Sequence, residues 1–551
     1  MVSEGTSGRG PGGRRAGIPH PVPEVPVIPI PVPDGPIPGP GPANASTRQL
    51  FRNITNSYAS FFIGLVMTLL LTRVLLRHLG AGTYGLWVVL LALVGYLGLL
   101  DVGVGTAAVQ RVARLMAKND TEGMADLIRT TWIFFAASAV LAVAITVGLA
   151  PFVASFLNLG SVSPSLAGAT LIILGVMSAL MFLSTVPNAV LFGSGRNDRQ
   201  TQIGLVTMLL VQVGQIVAMV SGAGLMAVAL LQTAGVAATL VVSASIVHRI
   251  TGASMRHGHF SRRLLRELLT FGGVQTVVAM GGVVAYQLDS LVIGIILPVA
   301  QVAPYNVALN TSNFTRTLST QATTSLLPTY AHFEEVGDRE RQATYFFRAV
   351  MGCLVISAPI VIALAAFGEP ILKLWLGTVP PKTYEIMIAL GLVTALQLPG
   401  HQCFLFLTGT GRNRAMVRLA LIGATVNLAG SIGATYWLGP VGPAIGSLPV
   451  VLVLDSMVLP ARVCGYLGVS VRSYVRSALV PVIPVALAAG VTALALIHLH
   501  PERSGFEAIA GAVIVCAVAW ITLAAIVSRT EPDLRNAVME RIRSRRHPAR
   551  A

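Results

Sequence analysis

The chain has 551 residues, 54% of them hydrophobic and only 11% charged. A soluble globular chain carries about 25% charged residues, so a water-soluble enzyme or binding domain of this length is excluded. The net charge of +16 could suit a nucleic acid, but in a chain of apolar runs it reflects cytoplasmic loops, which collect Arg and Lys, and no nucleic-acid partner is expected.

Residues 1–49 differ in kind from the rest. Gly and Arg come first, then a run from Pro19 to Pro42 with proline at every second or third position. Such spacing blocks helix hydrogen bonds and favours extended polyproline II. No apolar stretch follows the early arginines, so a secretory signal is not expected. The segment reads as a disordered cytoplasmic tail.

From there apolar runs of membrane-spanning length recur, and about fourteen helical spans are predicted. They fall at 57–76, 84–106, 131–153, 166–192, 202–221, 225–247, 271–296, 302–327, 345–367, 384–407, 418–437, 441–459, 478–496 and 506–527. With the N-terminus inside, about 32 of the 38 Lys and Arg fall on the cytoplasmic side. Both termini are therefore placed in the cytoplasm, including the basic tail 529–551. Loops on the other side are short, the longest being 368–383, with Glu369 as its one carboxylate.

Ionisable residues inside spans normally face a cavity or a partner. Arg73, in the outer part of the first span, and Asp289, in the outer part of the seventh, open corresponding segments and are expected to act together, as an ion pair or through a shared ion. Arg77 snorkels to the outer headgroups. Asp101 falls near the inner end of the second span, close to Arg111 and Arg114, where an ion pair, a helix-end role or a part in ion coupling is expected. Asp455 has no evident partner in the sequence. Pro187, Pro328 and Pro399 are candidate kinks.

The segment 191–200, LFGSGRNDRQ, matches 407–416, LTGTGRNRAM. The shared Gly-x-Gly-Arg-Asn reads as a tight cytoplasmic turn with a basic anchor, because a nucleotide loop would need a preceding strand and a soluble domain. A weaker match joins the segment around Tyr84 to the one around Tyr305. The offset spans six helices, an even number, which predicts two parallel repeats with a site between them. The expected layout is a first six-helix bundle at 50–250, a second at 251–465, and two added helices at 466–528.

The eighth span is unusual. Arg316 lies eleven residues past Tyr305, about 16 Å along a helix, near the bilayer midplane. Val307, Phe314, Leu318, Ala322 and Leu326 form a narrow apolar stripe, while Asn306, Asn310, Asn313, Thr317, Thr320 and Gln321 are polar. Such a helix cannot face lipid on most sides. Arg316, Asn310 and Asn313 are therefore candidate substrate-binding residues, with Arg73. Four cysteines without CxxC spacing and scattered histidines leave no metal site, and no cofactor is expected.

The stretch from Thr72, TRVLLRHLGAGTYGLWVVLLALVGYLGLLDVGVGTAAVQRVA, and LDSLVIGIILPVAQVAPYNVA from Leu288 resemble segments opening the two halves of oligosaccharide flippases. These are Wzx-like members of the multidrug/oligosaccharidyl-lipid/polysaccharide exporter superfamily. The resemblance covers about residues 50–527 and implies two six-helix bundles around a cavity lined by helices one, two, seven and eight. It further implies a polyprenyl-pyrophosphate-linked oligosaccharide as substrate, the membrane lipid as surroundings and polysaccharide-assembly proteins as partners. A drug/ion antiporter and a lipid II flippase share that fold. A membrane glycosyltransferase or ligase would need catalytic carboxylates or histidines on an external loop. The proline-rich tail departs from the family pattern.

Overall fold

The computed structural model describes residues 43–251, 258–321, 323–412, 414–500 and 504–530. The proline-rich run, Ala322, Asn413 and the basic run 541–546 lie outside them. The described residues form helices and no strand. The first helix begins at Ala43, inside the segment assigned to the tail.

Among the described residues, ten stretches are long and apolar enough to cross a bilayer, and the chain is a multi-pass membrane protein. In order, the main helices are α1 (Phe61–Asp101), α2 (Val104–Ala117), α3 (Thr121–Leu149), α4 (Pro164–Gly193), α5 (Asn197–Val220) and α6 (Leu225–Thr251). Then come α7 (Arg262–Ile296), α8 (Val302–Thr320), α9 (Leu327–Val336), α10 (Arg339–Leu376), α11 (Thr383–Gly409) and α12 (Arg414–Leu438). The last are α13 (Gly442–Val450), α14 (Leu459–Leu467), α15 (Val482–Leu499) and α16 (Gly505–Thr530).

Two apolar stretches contain sharp breaks. α1 breaks at Gly80, where φ 74 and ψ 167 suit a residue without Cβ. The stretch 418–467 turns at Gly439–Val441. Beyond that turn Gly446 lies against Gly430, Ser447 accepts a hydrogen bond from Asn427 and Leu454 touches Gly423, so α12 and α13 run antiparallel. One helix expected as a span, α8, falls outside the apolar set because its polar content is too high. α8 also ends at Thr320 rather than near 327, and Pro328 then sits in the first turn of α9, where its missing N–H costs nothing. It starts a helix instead of kinking one.

The apolar core has an uneven layout. At the Gly80 end, one cluster joins the first half to the second. It holds Leu75, Trp87 and Leu157 together with Val299, Tyr305 and Leu372. Toward the other end the core divides. Val112, Phe135 and Val190 belong to one cluster, and Tyr330, Phe346, Phe406 and Tyr474 to another. α15 and α16 attach through alanines, with Ala489, Ala493, Ala508 and Ala519 packed around Val355 and Phe367 of α10. Small residues let helices approach closely where lipid supplies no hydrophobic drive. Their other faces leave Leu487, Val491, Val513 and Ile521 exposed, as lipid contact requires.

The candidate substrate cavity and its polar helix

α8 explains how a polar helix is tolerated. Its buried residues include Ala308, Ser312, Thr315 and Ser319, a small, hydroxyl-bearing face at helical spacing. Thr315 and Ser319 donate to carbonyls one turn back, at Thr311 and Thr315. Their backbone-satisfied hydroxyls let the helix pack tightly. The Cys353 thiol donates to the Ser319 carbonyl, and the Gln402 amide donates to Thr323 and Cys353. The expected apolar stripe is therefore only partly the packing face. Val307 is buried, while Phe314 is half-buried and stacks on Phe61 of α1 at 5.6 Å.

A cavity of about 340 Å³ lies between the two limbs of α1 and the facing parts of α7 and α8. Its polar lining comes from Thr68, Thr72, Tyr84, Ser290, Asn306 and Asn310, and Trp87 adds an indole. The Tyr84 hydroxyl donates to Asn306 Oδ1 at 2.7 Å, and Asn310 Nδ2 donates to the same oxygen at 3.3 Å. Trp87 and Ser290 carry no mark in the sequence that separates them from other Trp and Ser residues, whereas Asn306 belongs to the polar side of the eighth span. Only the packing of four helix segments brings them together.

The sequence-predicted residues take different places. Asn310 lines the cavity. Asn313 and Arg316 lie farther along α8 and do not line it. Leu309, which does, shares their helix face at the i, i+4, i+7 spacing, so Arg316 is about 10 Å beyond Leu309. Its Nη2 donates to Asn313 Oδ1 at 3.0 Å, and His401 of α11 is within electrostatic reach. Arg316 is one turn from the end of α8, where the helix dipole favours a cation.

Arg73 and Asp289 are not paired. Arg73 is exposed and donates to the Leu374 carbonyl at 3.3 Å. Asp289 is buried and accepts from Tyr305 at 2.6 Å and from Ser431 at 2.9 Å. Burial of a carboxylate away from water demands such donors, and α7, α8 and α12 supply them before Arg73 can. Asp101 makes no ion pair with Arg111 or Arg114. Its carboxylate accepts from the Gly105 backbone N–H at 2.9 Å, capping α2 after a break where Val102 and Gly103 are both left-handed. The helix-end alternative holds for Asp101, and the ion-pair alternative does not.

The repeated Gly-x-Gly-Arg segments fold into the same turn. Gly195 and Gly411 have φ of 73 and 72. Arg196 and Arg412 each donate a backbone N–H to the carbonyl five residues back, at Leu191 and Leu407. This is the Schellman closure that a glycine at positive φ permits. A Cβ on Gly193 would strike Val109 and Val112 of α2, and one on Gly409 would strike Leu327 and Tyr330 of α9. Both motifs thus end a helix and dock a neighbour. The expected loop at 368–383 is shorter than predicted, since α10 continues to Leu376 and pairs Glu369 with Lys373 at 2.7 Å.

Comparison with known proteins then bears on this geometry. No curated protein sequence matches. The fold is similar to a structure described as lipid II flippase MurJ in an inward closed conformation, with a TM-score of 0.69 and 13% identity over 86% of this chain and 98% of that one. It is also similar to an inward-facing multidrug resistance MATE family transporter of the MOP superfamily, with a TM-score of 0.62 and 16% identity over 73% of this chain and 95% of that one. A sequence profile described as polysaccharide biosynthesis protein matches residues 71–379, more than half of the chain and all of the named cavity lining except Thr68. With that profile across more than half of its length, this membrane protein belongs to the polysaccharide biosynthesis protein family.

Proposed function

We propose that the protein flips a polyprenyl-pyrophosphate-linked oligosaccharide from the inner to the outer leaflet for cell-surface polysaccharide synthesis. The observation that carries this reading is α8, a helix with a polar side and an arginine, entering an internal cavity at the junction of the two halves. The polar head of such a substrate crosses inside the protein while its aliphatic tail stays in lipid. The guanidinium of Arg316, with its planar donor fork, suits the pyrophosphate in a way an ammonium does not. A drug/ion antiporter is a poorer fit, because its cavity would be expected to carry carboxylates and the lining described above has none.

In this reading both termini are cytoplasmic, so the Gly80 end is external and the divided core faces the cytoplasm. Six helices on either side of residue 250 form the moving halves, and the last two helices are an attachment. The charge on Asp289 is the candidate for coupling to an ion gradient, since it sits where α7, α8 and α12 meet and would respond to any cation or proton entering there.

Arg316 gives the direct test. Arg316→Ala is expected to lower export by at least about a hundredfold when normalised to folded protein in the membrane, the loss of a charge-assisted phosphate contact. Arg316→Lys is expected to restore only part of it. Near-normal normalised export by Arg316→Ala overturns the assignment, and loss of folded protein instead assigns the arginine to structure.

A further inference from the structure

The cavity and Arg316 differ in chemistry, and the difference bears on the sugar. Among the described residues, no Lys, Arg, His, Asp or Glu lines the cavity. Several polar groups there are nonetheless unspent. Ser290 is 4% exposed and Trp87 6% exposed, yet neither the Ser290 hydroxyl nor the Trp87 indole N–H has a hydrogen-bond partner among the described residues. Asn306 is held in place by its Oδ1, which takes the Tyr84 hydroxyl and the Asn310 amide. Its own amide N–H groups are left for a ligand, as is the Asn310 carbonyl oxygen. These donors and acceptors open onto one cavity, and their convergence there without protein partners points to something that satisfies them.

That ligand must both donate and accept, carry no charge and offer an apolar face. A carboxylate placed here would be desolvated with no cation to offset it, whereas a hydroxyl exchanges hydrogen bonds in both directions. Trp87, Tyr84, Leu75 and Val88 supply aromatic and aliphatic lining, against which the C–H face of a pyranose can lie. The volume is near the small end of the range of about 300–1,000 Å³ seen for small-molecule sites, which suits a short glycan. We infer that this cavity is a subsite for an uncharged, hydroxyl-rich sugar, a hexose or N-acetylhexosamine, and that it rejects uronic acids. The inference rests on the flippase reading and refines it: the sugar enters the neutral cavity while the anionic linkage stays about two helical turns away, at the level of Arg316.

The test uses the full chain in proteoliposomes and two probes that differ only in the sugar. One is polyprenyl-pyrophosphate-linked N-acetylglucosamine and the other polyprenyl-pyrophosphate-linked glucuronic acid. Wild type is expected to flip the first at least about tenfold faster, the penalty for an unpaired buried carboxylate. Trp87→Phe, which keeps the ring and removes the N–H, is expected to slow the neutral probe roughly five- to tenfold. Asn310→Lys is expected to narrow or reverse the preference by supplying the missing cation. Thermal unfolding of each variant in detergent checks that it is folded, and Ser290→Ala serves where Trp87→Phe is not. Equal rates for the two probes in wild type, with flipping intact, overturn the neutral subsite and leave the flippase reading standing. Movement of neither probe overturns the flippase reading, and the subsite falls with it.

Discussion

Arg196 and Arg412 occupy the same position in two copies of one turn, and their surroundings separate them. Arg412 pairs with Glu334 at 2.6 Å and lies 4.9 Å above the Tyr466 ring, while the other Glu334 oxygen accepts from the buried Gln342 amide. Arg196 is exposed and has no ion pair among the described residues. Arg412→Ala is expected to lower stability by about 1 kcal/mol, the upper range for a partly exposed pair, and Arg196→Ala to have no measurable effect in thermal unfolding. Partial burial tends to raise the Glu334 carboxyl, but the bonds from Gln342 and Arg412 outweigh it and hold it below the usual range. Its stabilisation is therefore complete above the ordinary glutamate value of about 4.3 and is lost as pH falls through the lower folded value. The gap in melting temperature between wild type and Arg412→Ala is expected to close below about pH 4, and a gap unchanged at that pH would mean that the ion pair is not its source.

At the scale of elements, glycine positions decide how closely helices meet. The α12–α13 hairpin brings Gly430 and Gly446 together, with an ideal Cβ on Gly430 only 2.5 Å from the Gly446 carbonyl oxygen. Backbone cannot yield as a side chain can, so Gly430→Leu is expected to cost about 1–3 kcal/mol from overpacking. Gly433→Leu, one turn away with nothing within 4 Å, is the matched control and is expected to behave as wild type in the same unfolding assay. The hairpin matters because Ser431, beside Gly430, is one of the two donors to Asp289. A second close approach joins α11 to the π-helical stretch Val451–Val458, where Asp455 packs against Gly400 and Ser456 donates to the Leu396 carbonyl at 2.9 Å. π-bulges of this kind often mark functional positions.

Across the whole molecule, one set of contacts joins the two halves at the Gly80 end, and another lies where Gly103 meets Gly272 of α7. Gly85 presses on the Val299 carbonyl, so that a Cβ there would collide with it. Asn158 donates its N–H to Gly294 at 3.0 Å and accepts from the Val299 N–H at 2.9 Å. Trp375 donates to the Leu69 carbonyl at 2.9 Å, next to the Arg73–Leu374 contact. The linker that opens the second half is tied to the first, with the His259 N–H on Asp126 and the Ser261 N–H on Thr130. A transporter that alternates access must break the contacts at one end and remake them at the other. Gly85→Val is expected to hold the Gly80 end apart. In a background without native cysteines, it should raise the labelling rate of Asn306→Cys by a thiol reagent several-fold. Gly148→Val, with nothing within 4 Å of its Cβ, should leave that rate unchanged. Equal labelling of both variants would mean that Gly85 does not seal this end.

The membrane class, the transporter family and the turn at each Gly-x-Gly-Arg copy were all legible in the chain. Apolar length follows from the bilayer thickness, and a left-handed helix end needs glycine, so both are local demands written in a few adjacent residues. The polarity of the helix carrying Arg316 was legible too, but not which of its faces packs, because a stripe of small hydroxyl residues buries as well as an apolar one once its hydroxyls bond their own backbone. Sequence reasoning coupled Asp289 to Arg73, directly or through a shared ion, on matched depth alone. The fold instead gave Asp289 a serine 142 positions away and gave Arg73 a carbonyl 301 positions away. It also assembled Trp87, Ser290 and Asn306 around one cavity. Rotation of each helix about its axis, and the depth at which it crosses its neighbours, are set by contacts summed over many helices. No periodicity within one span contains them, and they settle which polar side chains meet.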